Sequence, residues 1–85
     1  MTHEQYEQLS QLMESIYDMF YNKAEHIEEA GNVSEFLKLK DWVNRKHNGV
    51  KTLLKFSNAE DKVLKEVEHD FNYLLNELDD VIKDN

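Results

Sequence analysis

The chain has 85 residues, a formal net charge of −8 and neither cysteine nor proline. That length bounds it to one domain at most, read here as a single helical domain over residues 1–85. The missing cysteines exclude disulfides and thiolate chemistry, and no apolar run approaches the about 18 residues of a membrane span. Hydrophobic residues make up 40% of the chain, too many and too regularly spaced for a disordered tail.

The first helix is expected from about His3 to Ala30. Thr2 can cap it, with Gln5 as the reciprocal partner of a capping box. Tyr6, Leu9, Met13, Ile16, Phe20 and Ile27 line one side, widened by Leu12, Tyr17, Met19 and Ala24. Gly31 suits the left-handed residue that ends such a helix. The opening residues MTHEQYEQLS are polar and acidic, unlike a secretory signal, so a cytoplasmic protein is expected.

The second helix is expected over about 33–56, capped by Asn32 with Glu35 in its first turn. Phe36, Leu39, Val43, Val50, Leu53 and Leu54 form its apolar arc, with Trp42 and His47 at the edges; Leu37 and Phe56 fall off it. His47 is expected to be packed and hydrogen-bonded. Asn48-Gly49 is a turn-like pair, where a bend or break stays open. A helical glycine costs only about 1 kcal/mol, which favours one helix through it.

The third helix is expected over about 58–83. Ser57 and Glu60 have the spacing of a capping box. Leu64, Val67, Phe71, Leu74, Leu78 and Val81 form its apolar face. Three long helices with short connections predict an all-α, antiparallel up-down-up three-helix bundle.

Charge is uneven. Residues 1–30 carry net −6, residues 31–56 net +4 and residues 57–85 net −6. A basic helix between two acidic ones can simply fix the pairing of the bundle through flanking charges. The third helix gathers Glu66, Asp70, Tyr73, Glu77, Asp80 and Asp84 into a sector of about 80°, away from its apolar arc. The first does the same with Glu7, Glu14, Asp18, Glu25 and Glu29, more nearly opposite its own apolar side, with Tyr21 near the acidic edge. Like charges four residues apart, as in Glu14/Asp18, Glu25/Glu29 and Glu66/Asp70, cost a few tenths of a kcal/mol each. A helix arranged only for stability would interleave lysines there.

Two readings follow. In one, the stripes are solvated faces that keep the protein soluble. In the other they dock on a protein partner with a basic surface. Glu66, Asp70, Tyr73, Glu77 and Asp80 then form the leading face, and Glu14, Asp18, Tyr21 and Glu25 a second candidate face. Carboxylates one turn apart would stand in for phosphates, so the partner could be a nucleic-acid-binding protein. The chemical analogy is to small inhibitors of phage and mobile elements. The net negative charge argues against direct binding to nucleic acid. A structural subunit, homodimeric through its leftover apolar positions, is the alternative. Glu66 and His69 have the i,i+3 spacing of a metal-ligand pair, but a di-metal bundle needs two such pairs and two further glutamates. Without a nucleophile motif, a phosphate loop or a paired buried carboxylate, no enzyme activity, metal or cofactor is expected.

Overall fold

The computed structural model describes residues 1–84. It is a bundle of three helices, α1 (His3–Ala30), α2 (Ser34–Phe56) and α3 (Asp61–Asp84). Each helix has a single buried stripe, which is why none is stable alone and all three are joined around one core. The centre of that core is Ile16 and Phe20 from α1, Val43 and Leu54 from α2, and Phe71, Leu74 and Leu78 from α3. Lys40 meets Asp79, and His47 stacks on Phe71, so α2 and α3 run antiparallel. Tyr6 reaches Glu66 and Tyr21 reaches Glu77, so α1 and α3 run parallel.

The long axis measures 43 Å. That matches the about 42 Å expected of the 28 residues of α1. A rod exposes more surface than a sphere. The accessible area is 6034 Å², above the about 5,300 Å² expected for a compact chain of this mass.

The ends of α1 form as the sequence predicts. The Thr2 hydroxyl accepts from the Gln5 amide, and the Gln5 side chain accepts from the Thr2 amide. Gly31 takes the left-handed conformation (φ 70°) and donates its N–H back to Ile27 and Glu28.

The other ends differ. Asn32 does not cap α2. Its side-chain oxygen accepts from the Ser34 hydroxyl instead, and the backbone carbonyls of Asn32 and Val33 take the first amides. Ser57 does not cap α3 either. It closes α2, donating its N–H to Leu53, and Asn58 then turns the chain at φ 52°. Asn tolerates that left-handed conformation because its side chain is short and polar. The turn moves the start of α3 from 58 to Asp61, with the Glu60 carbonyl accepting from Val63 and Leu64.

Helix α2 is continuous through Asn48-Gly49. The apolar pattern outweighs the turn preference of that pair, as local propensity yields to tertiary packing. Four residues of the expected apolar rows lie outside the core: Tyr6, Met19, Leu53 and Val81 are exposed. Val63, absent from the expected row of α3, is buried instead. Leu37 and Phe56 are exposed, as their phase requires. His47 is buried and packed on Phe71 with ring centroids 4.6 Å apart, but its Nε2 has no hydrogen-bond partner among the described residues. No described helix is long and apolar enough to cross a membrane.

Candidate functional site: an acidic groove bridged by tyrosines

Helices α1 and α2 pack closely, as do α2 and α3, but no Cα of α1 comes within 8 Å of a Cα of α3 among the described residues. The α1–α3 seam is therefore the open side of the bundle. Long side chains cross it, and they are tyrosines. The Tyr6 hydroxyl donates to Glu66 Oε2 at 3.3 Å, Tyr17 to the Asp70 carbonyl at 3.3 Å, and Tyr21 to Glu77 Oε2 at 3.1 Å. A tyrosine suits this position because its ring covers apolar core while its hydroxyl reaches a polar partner at the rim.

Helical spacing lines these residues up. Tyr6, Tyr17 and Tyr21 come round to one side of α1, with Ser10 and Glu14 beside them. Glu66, Asp70, Tyr73 and Glu77 do the same on α3. Glu14, Tyr17, Glu66 and Asp70 line one groove with Leu9, Met13 and Val67 at its floor. Glu14 of the α1 stripe thus meets Glu66 and Asp70 of the α3 stripe in this groove. Asp18, Glu25 and Asp80 are exposed and lie further out on the two helices.

Glu77 lies further along the same seam. It is half-buried, accepts from Tyr21, and also interacts with the Tyr73 hydroxyl. Tyr21 lies edge-on to Phe20 (5.1 Å between centroids) and stacks along Tyr17 (6.4 Å). Burial first, and then the Asp70 charge, pushes the Tyr17 phenol up to about 12. Partial burial and the hydrogen bond to Glu77 push Tyr21 up to about 12 as well. Tyr73 is raised chiefly by its hydrogen bond to Glu77. All three phenols hold their protons at neutral pH and act as donors beside the carboxylates.

Sequence reasoning placed Glu66, Asp70, Tyr73, Glu77, Glu14 and Tyr21 on polar faces, and they are there. It missed Tyr6 and Tyr17, which it assigned to the apolar side of α1. The available signal was residue type: a tyrosine at the edge of an apolar row has a hydroxyl to satisfy, which leucine does not.

The other charges are arranged differently. Lys40 reaches Asp79 across α2–α3 at 2.8 Å, but Lys38 pairs with Glu35 and Arg45 with Asp41 inside α2. The basic residues of α2 are therefore only partly the interhelical flank expected of them. His69 is exposed and lies 3.8 Å from Asp70, while Glu66 is held by Tyr6. No group of three or more His, Asp or Glu among the described residues is placed to hold a metal ion.

Compared with protein-family models, curated proteins and solved structures, the chain matches none.

Proposed function

We propose that this protein binds another protein, as an inhibitor or regulator, by docking the α1–α3 groove on a basic surface. The observation that carries the reading is the meeting of Glu14 of α1 with Glu66 and Asp70 of α3 in one groove, with tyrosine hydroxyls holding Glu66 and Glu77 across the seam. Carboxylates held in this way lose less side-chain entropy on binding than free ones. Tyrosine between acids is also the residue type enriched where binding energy concentrates.

Charge density supports a partner that ordinarily holds nucleic acid. Glu66 to Glu77 spans about 16 Å of helix, and four carboxylates (Glu14, Glu66, Asp70 and Glu77) border the seam over that length. This is about one charge per 4 Å, near the 3.4 Å of a single DNA strand. A groove built for phosphates would meet a similar field here.

The test is a paired capture from cell lysate at low and high salt. One bait is the natural chain and the other carries Glu66→Lys, Asp70→Lys, Glu77→Lys and Asp80→Lys, with helicity checked first. The expected result is a basic partner held by the natural chain, released by salt and lost by the variant, because exposed charge attraction is screened. A partner held equally by both baits, or held regardless of salt, removes the groove from consideration.

A further inference from the structure

Helix α2 carries two seams. Phe36, Leu39, Val43, His47, Val50 and Leu54 face the core. A second row, Trp42, Lys46, Gly49, Leu53 and Phe56, recurs at spacings of four, three, four and three residues along the outer shoulder. That is the 3.5-residue period by which one helix packs along another. Within the monomer this row is largely uncovered: Phe56 is 84% exposed and Leu53 55%. Trp42 is half-buried, with the ammonium groups of Lys23 and Lys46 over its ring at 5.6 and 5.7 Å.

Gly49, at the middle of the row, is not explained by the monomer. Its φ is not positive, and a Cβ added there would meet nothing within 4 Å. Alanine would fit and would favour the helix by about 1 kcal/mol. A glycine on an exposed helix face, between large apolar residues, does have a use where a second helix crosses closely.

We propose that the occupant is a second copy of this chain, with α2 antiparallel to its counterpart about a two-fold axis at Gly49. The row is nearly symmetric about that residue. Trp42 lies seven positions before Gly49 and Phe56 seven after, so each would cover the other across the axis. Lys46 lies three before and Leu53 four after, so the lysine stem lies along the leucine while its charged end stays in water. Such a two-fold contact is self-complementary and closes at two copies.

Charge fits the same register. The Trp42 half of the row is flanked by Lys38 and Arg45, and the chain beyond Phe56 enters α3 through Glu60 and Asp61. Antiparallel pairing sets Lys38 of one copy opposite Glu60 of the other, in a turn where Lys55 and Lys62 balance Glu60 and Asp61. Among the described residues Lys38 and Arg45 pair with Glu35 and Asp41 near the surface of α2, so they can change partners at little cost. The row spans about 21 Å of a helix about 10 Å wide, about 200 Å² per copy, well below the about 800 Å² per partner of a standard interface. The pairing is therefore weak and reversible. The α1–α3 groove is on a different face and stays open in the dimer.

Salt separates this proposal from the groove reading. Two copies of net charge −8 repel each other, and this outweighs the few exposed pairs made across the contact, so salt, which screens both, strengthens the dimer while groove binding weakens. The quadruple lysine variant, which brings the net charge to zero, should lose the groove partner but dimerise more readily.

The experiment is sedimentation equilibrium of the full chain up to about 1 mM at two salt concentrations, with fluorescence of Trp42, the chain's one tryptophan, as a second readout. A monomer–dimer equilibrium is expected, stronger in high salt, with Trp42 emission shifting to the blue as the dimer forms. Phe56→Asp and Gly49→Glu should each weaken association about tenfold or more, with helicity kept, since both side chains point into open space. Because the natural chain has no cysteine, Gly49→Cys should oxidise to a disulfide dimer, which needs Cα atoms within about 7 Å. Asp80→Cys should not. A monomer at every concentration and salt overturns the proposal. So does a dimer indifferent to Phe56→Asp, or equal crosslinking at residues 49 and 80.

Discussion

The Tyr21 hydroxyl donates to Glu77 Oε2 at 3.1 Å across the α1–α3 groove, joining residues 56 positions apart. The same phenol lies against Phe20 in the core. One side chain thus links the packed interior to a carboxylate of the proposed docking surface. Its neighbour Tyr17 makes the equivalent link to the Asp70 backbone.

These two phenols set an alkaline limit. Each is raised from 10.0 to about 12 in the fold. Between those values the unfolded chain releases protons that the folded one keeps, so the unfolded state is favoured as pH rises. Stability should be unaffected by these groups below pH 10 and should fall from pH 10 to about 12. Absorbance titration of the phenolates checks this. Two tyrosines should titrate near 12, and Tyr21→Phe and Tyr17→Phe should each remove one of them. Glu77→Gln should move Tyr21 back toward 10. If Tyr17 and Tyr21 titrated near 10, their groove bonds would be absent in solution.

His47 sets the acidic limit. Burial, and then the nearby positive charge of Lys51, hold its pKa below the usual histidine value, with Glu68 opposing them. The unfolded chain therefore takes up a proton before the folded one does. Stability from this group is fully present above the unfolded value of 6.5 and is lost as pH falls below it, toward the depressed folded value. Denaturant midpoints measured between pH 8 and pH 5 should decline in the natural chain. His47→Leu should flatten that part of the curve, since it keeps an apolar side chain over Phe71 and removes the titrating ring. An unchanged slope would mean that His47 is not the group responsible.

Adjacent leucines show how much of this bundle is legible in its sequence. Leu53 and Leu54 both continue the apolar rhythm of α2, yet Leu54 is 2% exposed and Leu53 55%. Periodicity gives the direction of a stripe but not its width, which depends on how closely the neighbouring helices approach. The three helices, their order and the glycine stop of α1 follow from local rules. Tyr6 and Tyr17 did not, because their hydroxyls find partners on a helix about 53 to 60 residues away. Ser57 and Glu60 had the letters of a capping box, but the left-handed Asn58 turned the chain first. Leu54→Ala should cost about 2–5 kcal/mol, as for a buried leucine. Leu53→Ala should cost the monomer well under 1 kcal/mol. Urea denaturation of the pair at low concentration measures the difference, and similar losses would place both residues in the core.

Gly49 gives the sharpest test of the unbroken helix. A real break at Asn48-Gly49 would need glycine's conformational freedom, and alanine there would be strained and destabilising. In the continuous helix the backbone is already compatible with any residue, and nothing lies within 4 Å of the added carbon. Alanine then removes the entropy that glycine gains on unfolding and adds no contact, so it should stabilise the monomer by about 0.5–1 kcal/mol. For a domain of this size, that raises Tm by about 2–8 °C. The measurement belongs at low protein concentration, where self-association does not contribute. A gain in Tm supports one helix through Gly49, with its glycine kept for a purpose outside the monomer. A loss would mean that α2 bends there in solution, and the two-fold pairing across Gly49 would fall with it.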